Sequence, residues 1–294
     1  MNLLSTRLAQ RLRLTEARVI KGGDIAHCFR VHAGPSRSYQ FLKVVPQSEI
    51  ERLDAEANGL LELSKYLADN RFVQVPQVHD LVACDDWAGL LTDWVEQENP
   101  ADSSDDNLGR GLAELHCNSA GRYGGVDNYL GNTPQCNEPV ASDSWPDFFI
   151  ARRLNPQRSL AIRKGLWDAG WETRWSTLVN RVCEILPGDT RPSPLHGDLW
   201  NGNVLRGPGS RWSLIDPAFY CGDPLTDVAM MRLFGGFGHR VYEAYHAASP
   251  AGIRDMMKDE ALVTVYNLYH LLNHLNLFGA GYRNDVERSI RRLT

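Results

Sequence analysis

The chain has 294 residues, long enough for one large domain or two smaller ones with a sizeable core. Hydrophobic residues make up 43% and charged residues 23%, ordinary values for a soluble globular protein. A formal charge of −5 leaves no basic field for nonspecific nucleic-acid binding, and the short run Arg288, Arg291, Arg292 reads as a solvated helix end.

Met1 to Leu14 interleaves Leu3, Leu4, Leu8, Leu12 and Leu14 with Arg7, Arg11 and Arg13. That is the pattern of a short amphipathic helix; a signal peptide would need an uninterrupted apolar run. No stretch reaches the length of a membrane span, so a soluble, cytoplasmic protein is expected. The six cysteines, at 28, 84, 117, 136, 183 and 221, include no C-x-x-C pair. They read as reduced thiols rather than a zinc site or a disulfide scaffold.

Gly22-Gly23 precedes an apolar-tending segment and predicts a tight turn between strands. Gly34-Pro35-Ser36 is a second turn signal. Over 39–45, Tyr39, Phe41 and Lys43 share one face and Leu42 and Val44 the other, which predicts a strand with Lys43 in its middle. Residues 49–68 carry Ile50, Leu53, Ala57, Leu60 and Leu61 at helical spacing. Glu56 falls inside that stripe, where a carboxylate needs a partner or a wet cleft. Val73, Val75 and Pro76 begin an extended piece, and 88–95 reads as a strand leading into a linker. Asn99 to Asp106 is polar and turn-rich, so the boundary between two parts is placed between about 95 and 106.

Leu108, Leu112 and Leu115 predict a buried helix ending near His116. Residues 119–140 are rich in Gly, Asn and Pro and too long for a routine connector, a feature of functional loops. Helical patterns cover about 145–163, 170–186, 224–233, 239–247, 254–277 and 283–292. The coarse map is an early α+β part followed by a mostly helical part.

The segment richest in chemistry is Leu195-His196-Gly197-Asp198-Leu199-Trp200-Asn201-Gly202-Asn203, followed by Trp212-Ser213-Leu214-Ile215-Asp216-Pro217. Asp198 and Asn203 are five apart, and a Gly207-Pro208-Gly209 turn returns Asp216 towards them. Phosphoryl transfer explains these residue types. A carboxylate near the acceptor hydroxyl orients it and takes its proton. Triphosphate charge calls for magnesium, which prefers hard oxygen ligands such as a carboxylate and an amide carbonyl. Asp198 is read as the base, Asn203 as a metal ligand and Asp216 as the main metal ligand. Protein kinases use the same spacing in H-R-D-x-x-x-x-N and D-F-G, with Gly197 here in place of the Arg and Pro217 in place of the Phe. The plainer alternative is an incidental set of polar turn residues. His196 is read as structural, since Asp198 already holds the base role.

Three upstream features agree with ATP as the donor. Lys43 is placed to contact the α- and β-phosphates, with Glu56 holding it from the helix. Gly22 and Gly23 are assigned to the nucleotide loop, although a plain hairpin turn would look the same. Asp93-Trp94-Val95 falls where a linker would offer backbone groups to adenine, an assignment of Asp93 and Val95 by position alone. The string is not a Walker motif, which excludes a P-loop NTPase.

The sequence resembles the fructosamine kinase family, also called ketosamine 3-kinases, within the aminoglycoside-phosphotransferase-like group. The resemblance covers nearly the whole chain. It is carried by His196 to Asn203, by Ile215-Asp216-Pro217-Ala218-Phe219-Tyr220 through Gly222-Asp223 to Asp227, and by Asp127 to Gln135. Trp145, Phe148, Phe149, Arg153 and Leu233-Phe234-Gly235-Gly236-Phe237 add to it. It implies an α+β, protein-kinase-like, two-lobed fold. Residues 1–95 would form a small N-terminal nucleotide-binding lobe with an antiparallel sheet. Residues 96–294 would form a mostly helical catalytic and substrate lobe.

The resemblance also implies ATP- and Mg2+-dependent phosphorylation of the 3-hydroxyl of a ketosamine, in the service of deglycation; the alternative is a kinase of the same fold acting on another small alcohol such as an aminoglycoside, choline or homoserine. The acceptor would be a small sugar-amine adduct or a glycated lysine on a protein, with ribulosamines and erythrulosamines favoured over fructosamines. A monomer is expected, with a homodimer as the alternative. Some relatives carry a cysteine after the glycine pair, where this chain has Asp24; Cys28 is near but not equivalent. Pro224-Leu225-Thr226 stands where relatives often have charged residues. On the acceptor side, Asp127 and Asn128 could bond sugar hydroxyls, and Tyr129 or Trp200 could stack on a sugar face. The alternative is that these side chains only fix a long loop. Asp223 and Asp227 are read as holding the following helix and the catalytic loop.

Overall fold

The computed structural model describes residues 6–20, 26–34, 38–84, 86–98, 105–188, 190–250 and 258–294. The first part is built on one antiparallel sheet. Its strands are β1 (Leu14–Val19), β2 (His27–Ala33), β3 (Gln40–Pro46), β5 (Val78–Cys84) and β6 (Trp87–Asp93), in the order β1-β2-β3-β6-β5. Period-two alternation sorts β3 as expected. Leu42 and Val44 are buried on the face covered by helix α1 (Thr6–Arg11), together with Leu8, Leu12 and Phe29. Val45 lies on the other face, against Leu53 and Ala57 of α2 (Ile50–Tyr66). Lys43 shares the Val45 face, so the alternation that builds this small core also aims the lysine at α2.

Two expectations need correction here. The first helix does not run to Leu14. Its described part ends at Arg11, Arg13 takes a left-handed φ of 53°, and Leu14 opens β1. Leu61 is 48% exposed rather than part of the inward stripe of α2, which runs through Leu53, Ala57, Leu60 and Leu63.

The second part is helical. It contains α3 (Asp105–His116), α4 (Trp145–Phe149), α5 (Asn155–Arg163), α6 (Ala169–Ile185), α7 (Leu225–Phe234), α8 (His239–Ala248), α9 (Glu260–Phe278) and α10 (Arg283–Leu293). One π-helical turn, Ile150–Leu154, joins α4 to α5. Small strand pairs are set among the helices. The pair β7 (Asn128–Leu130) and β8 (Thr133–Gln135) is a hairpin inside the long 119–140 segment. The pair β10 (Val204–Arg206) and β11 (Trp212–Leu214) is the hairpin that returns Asp216, and β9 (Ser193–Leu195) pairs with β12 (Tyr220–Gly222). β4 (Val73–Gln74) pairs in parallel with β11, so the extended piece at 73–76 binds the second part before the chain turns back to β5.

The helical core is continuous, from Leu108 and Leu112 of α3 to Leu268 and Leu272 of α9. α3 and α8 cross with backbones in near contact. A Cβ at Gly109 would lie 2.2 Å from Val241 O and 2.7 Å from Tyr245 N. Only a residue without a side chain fits there. Gly109→Ala should force the two helices apart and cost about 1–3 kcal/mol. Calorimetry should register the loss as a lowered Tm.

Candidate active site

The loop after β9 is held from beneath by one carboxylate. Asp227, buried at the start of α7, accepts the backbone N–H of His196 at 2.7 Å and of Gly197 at 2.9 Å. His116 Nε2 lies 3.3 Å from the same carboxylate, and its Nδ1 is 2.8 Å from the Tyr245 hydroxyl. Burial alone would raise the Asp227 pKa; the His116 contact and the loop N–H groups more than offset it and hold the group low. Asp223 caps the same helix, accepting Leu225 N–H at 2.7 Å. Gly197 has φ 81°, and a Cβ there would lie 2.0 Å from Ala218 O.

His196 serves the loop internally. Its Nδ1 accepts the Asp198 N–H at 3.2 Å, so the proton belongs on Nε2, which donates to Ile215 O at 2.9 Å. Burial keeps the ring pKa low, in keeping with a neutral side chain. The carboxylate of Asp198 is thereby aimed by groups that are themselves fixed.

Asn203 ends the turn after Trp200. Its amide nitrogen donates to Asp198 O at 2.9 Å and to Asp198 Oδ2 at 3.0 Å. Its carbonyl oxygen is left as an acceptor. Asp216 follows β11 with a left-handed φ of 53°, a conformation uncommon for non-glycine residues but better tolerated by Asp than by most. Lys43 Nζ bridges the two halves of the site, 2.8 Å from Asp216 Oδ1 and 2.7 Å from Glu56 Oε2. Thus Lys43, Glu56, Asp198, Asn203 and Asp216, drawn from β3, α2 and two loops, meet in one cleft.

Three carboxylates share this cleft with one ammonium. Burial would lower the Lys43 pKa, but Asp216 and Glu56 outweigh it, so the lysine stays charged. Burial and the Asp216 charge push Glu56 up to about 8 despite Lys43. Asp216, whose side chain keeps 40% of its surface exposed, is held low by Lys43 against the cost of burial. Burial, and secondarily Asp216, push Asp198 up to about 7. Among the described residues no three His, Cys, Asp or Glu side chains converge as a metal centre. The oxygen donors on offer are the carboxylate of Asp216 and the amide carbonyl of Asn203. They are hard ligands in an acidic cleft, which suits Mg2+.

Two adjoining cavities open on these groups. One, of about 310 Å³, is lined by Ile20, Phe41, Lys43, Trp94, Val95 and Asp216 among others. The second, of about 220 Å³, contains Asp198. Asp93 also borders the first cavity, but its carboxylate is bonded to His79 Nε2 at 2.7 Å and Gln77 N at 3.1 Å. Gly22 and Gly23 lie outside the described residues.

The acceptor-side residues divide. Asp127 Oδ1 accepts Asn137 N–H at 2.6 Å. Asn128 donates to Phe219 O at 2.6 Å and accepts from Gln135 Nε2 at 2.7 Å. Asp127 is engaged within the loop, and Asn128 ties the loop to the chain at Phe219. Tyr129 and Trp200 instead line the Asp198 cavity, and Trp200 is 43% exposed. Tyr129 donates to Glu51 at 3.2 Å and also borders a larger groove, of about 880 Å³, between α2 and the 120–136 segment.

Arg153 had only its resemblance to recommend it. It is wholly buried, its guanidinium 4.0 Å from the Tyr220 ring centre, donating to Cys136 O at 2.9 Å and to Asn137 Oδ1 at 2.6 Å. Nothing in the sequence pattern marked it or His116 as supports of the site, because both act across long sequence separations.

The raised Asp198 pKa has a consequence for stability. Unfolded, the group loses its proton near its ordinary value of 3.8; folded, near 7. Its ionisation therefore costs folding free energy that grows from about pH 4 to pH 7 and persists above. Without metal or nucleotide, Asp198→Asn should match the wild type in Tm near pH 4. By pH 8 it should be more stable, by an amount on the order of 1–3 kcal/mol. A variant no more stable than wild type at pH 8 would contradict the assigned environment.

Comparison with known proteins agrees with the geometry. The family model for fructosamine kinase matches residues 1–294. The chain is 35% identical to a probable ketoamine kinase of Enterococcus faecium over 92% of each chain. It is 33% identical to a probable ketoamine kinase of Synechocystis, over 98% of this chain and 94% of the other. Among solved structures, a fructosamine-3-kinase candidate from Thermobifida fusca superposes with a TM-score of 0.82 at 28% identity, over 100% of this chain and 99% of that one. An aminoglycoside phosphotransferase, APH(4)-Ia, in ternary complex with ADP and hygromycin B, superposes with a TM-score of 0.61 at 14% identity over 98% and 95% of the two chains. The second likeness is one of fold, and it fixes the architecture as the two-lobed kinase-like type. No described helix is long and apolar enough to cross a membrane. With its motifs, its cleft and its full length in agreement, the chain belongs to the fructosamine kinase family.

Proposed function

We propose that this chain uses ATP and Mg2+ to phosphorylate the 3-hydroxyl of a ketosamine, which is a ribulosamine, an erythrulosamine or a fructosamine. The observation that carries the reading is the meeting of Asp198 with Lys43, Asn203 and Asp216 in one cleft, in a chain of this family. In the reading, Asp198 orients the acceptor hydroxyl and takes its proton as the oxygen attacks the γ-phosphorus. A base that titrates near 7 is well matched to that task at neutral pH. Lys43, held by Glu56, steadies the α- and β-phosphates. Asn203 and Asp216 would hold Mg2+, which when bound neutralises phosphate charge.

Val95 is assigned to adenine through its backbone. Asp93 contributes to the same edge by closing β6 rather than by its bonded carboxylate, and Gly22-Gly23 is assigned to the phosphates. Tyr129 and Trp200 are the acceptor contacts this reading prefers, with Asp127 and Asn128 shaping the loop beneath them. The lobes are divided at about residue 95, where β6 has just ended. The acceptor is a small sugar-amine adduct or a glycated lysine, and the chain acts as a monomer, a homodimer being the alternative. Six free thiols accord with a reducing, cytoplasmic setting.

The direct test is ATP consumption against ribuloselysine, kanamycin and choline, with mapping of the phosphorylated hydroxyl. Turnover with ribuloselysine and phosphate on its 3-oxygen is the expected result; turnover with kanamycin or choline alone would replace the acceptor. Asp198→Asn should lower kcat by about 100- to 10,000-fold while leaving MgATP affinity within about threefold of wild type. Asp216→Ala should instead weaken MgATP binding itself, by about tenfold or more. Near-native turnover in both variants would show that the chemistry lies elsewhere.

A further inference from the structure

The kinase reading leaves one cation of the cleft unused. Arg52 stands on α2 one helical turn before Glu56, so both side chains project from the same face. It lines the cavity that contains Asp198, in company with Lys43, Asp216, Tyr129 and Trp200, but not the adjoining cavity bordered by Val95 and Trp94. It therefore lies on the acceptor side of the point where phosphorus would pass. Its side chain is only 20% exposed, and Nη1 donates to Glu49. The buried Nε has no acceptor. A buried donor without a partner is destabilising, so the protein itself leaves this guanidinium short of acceptors. With Nη1 engaged and Nε enclosed, Nη2, which carries two N–H groups, is the donor the guanidinium keeps for an oxyanion in the cavity.

We propose that Arg52 grips the phosphoryl group in transit, as the second cation of the catalytic cleft. The inference rests on the kinase reading. Lys43 cannot fill this role alone, since its ammonium is already shared between Glu56 and Asp216. In the transfer, the bond from phosphorus to the ADP oxygen breaks and the bond to the acceptor oxygen forms. The hydroxyl proton goes to Asp198. Arg52 exchanges neither proton nor electron; it supplies two N–H donors to phosphoryl oxygens that move towards it. Because it lies beyond the nucleotide cavity, its effect falls on the transition state and the product more than on bound ATP.

Arg52→Gln and Arg52→Lys test this with two readouts. The first is binding of MgADP with and without aluminium fluoride, which imitates the phosphoryl group between donor and acceptor and needs no ketosamine. Arg52→Gln should bind MgADP within about twofold of wild type yet lose about tenfold or more of the tightening that fluoride brings, with Arg52→Lys between the two. The second is turnover with ribuloselysine, where kcat should fall by about 10- to 100-fold at little-changed KM for ATP. Wild-type fluoride tightening and wild-type kcat in Arg52→Gln would overturn the proposal. So would an unchanged kcat with a raised KM confined to ketosamines that bear a carboxylate, which would give Arg52 to the acceptor. If wild type ignores every ketosamine while the fluoride difference persists, the acceptor assignment fails and this proposal stands.

Discussion

The site depends on one ammonium shared between two carboxylates. Lys43 belongs to the sheet, Glu56 to the helix that covers it, and Asp216 to a loop of the other lobe, so the shared cation is a joint between the two halves. Burying ionisable groups is expensive, and the attraction recovered is mostly offset by that cost, so the joint is better understood as positioning than as stability. Its electrostatic effect reaches further. One lysine cannot satisfy two carboxylates equally: Asp216 is held low, Glu56 is left high, and the negative charge that remains adds to burial in lifting Asp198. The same imbalance creates a demand for further positive charge, which magnesium and a second basic side chain can meet.

A second carboxylate does quieter work behind the loop. Asp227 receives two consecutive backbone N–H groups and a histidine, and is buried with them. A loop carrying a left-handed glycine would otherwise have several conformations of similar energy; fixing two peptide groups leaves the Asp198 carboxylate one direction. His196 then closes the arrangement by linking the Asp198 amide to the carbonyl just before Asp216. The Asp198 and Asp216 loops are thus linked through a single buried imidazole.

Much of this was legible in the sequence because it is local. The Asp198–Asn203 spacing, the hairpin return to Asp216, the period-two face of Lys43 and the helical position of Glu56 are all short-range patterns, and the cleft assembles them as read. What was not legible is nonlocal or too short to be periodic. A three-residue strand such as β9 or β12 carries no alternation to detect, and β4 gives no sign that its partner is β11, about 140 residues away. The exposed Leu61 shows the limit of apolar spacing, since a helix tolerates a leucine beside its buried stripe. Arg52 escaped notice because an arginine early in a helix resembles an ordinary surface residue until the cavity beside it is seen.

The residues that carried the family resemblance outside the cleft have a physical reason to recur. Trp145, Phe148 and Phe149 are wholly buried and form an aromatic cluster with Tyr220 and Tyr266. Arg153 projects from the π turn over Tyr220 and ties down the chain at Cys136 and Asn137. From the other side, Asn128 bonds to Phe219 O. The segment following Asp216 is therefore gripped along both edges, by an aromatic wall and by the β7–β8 hairpin. Asp216 itself holds an uncommon φ, and such a residue keeps its conformation where its neighbours leave it no alternative. The long loop and the aromatic string, which looked like separate features of the sequence, together supply that restraint.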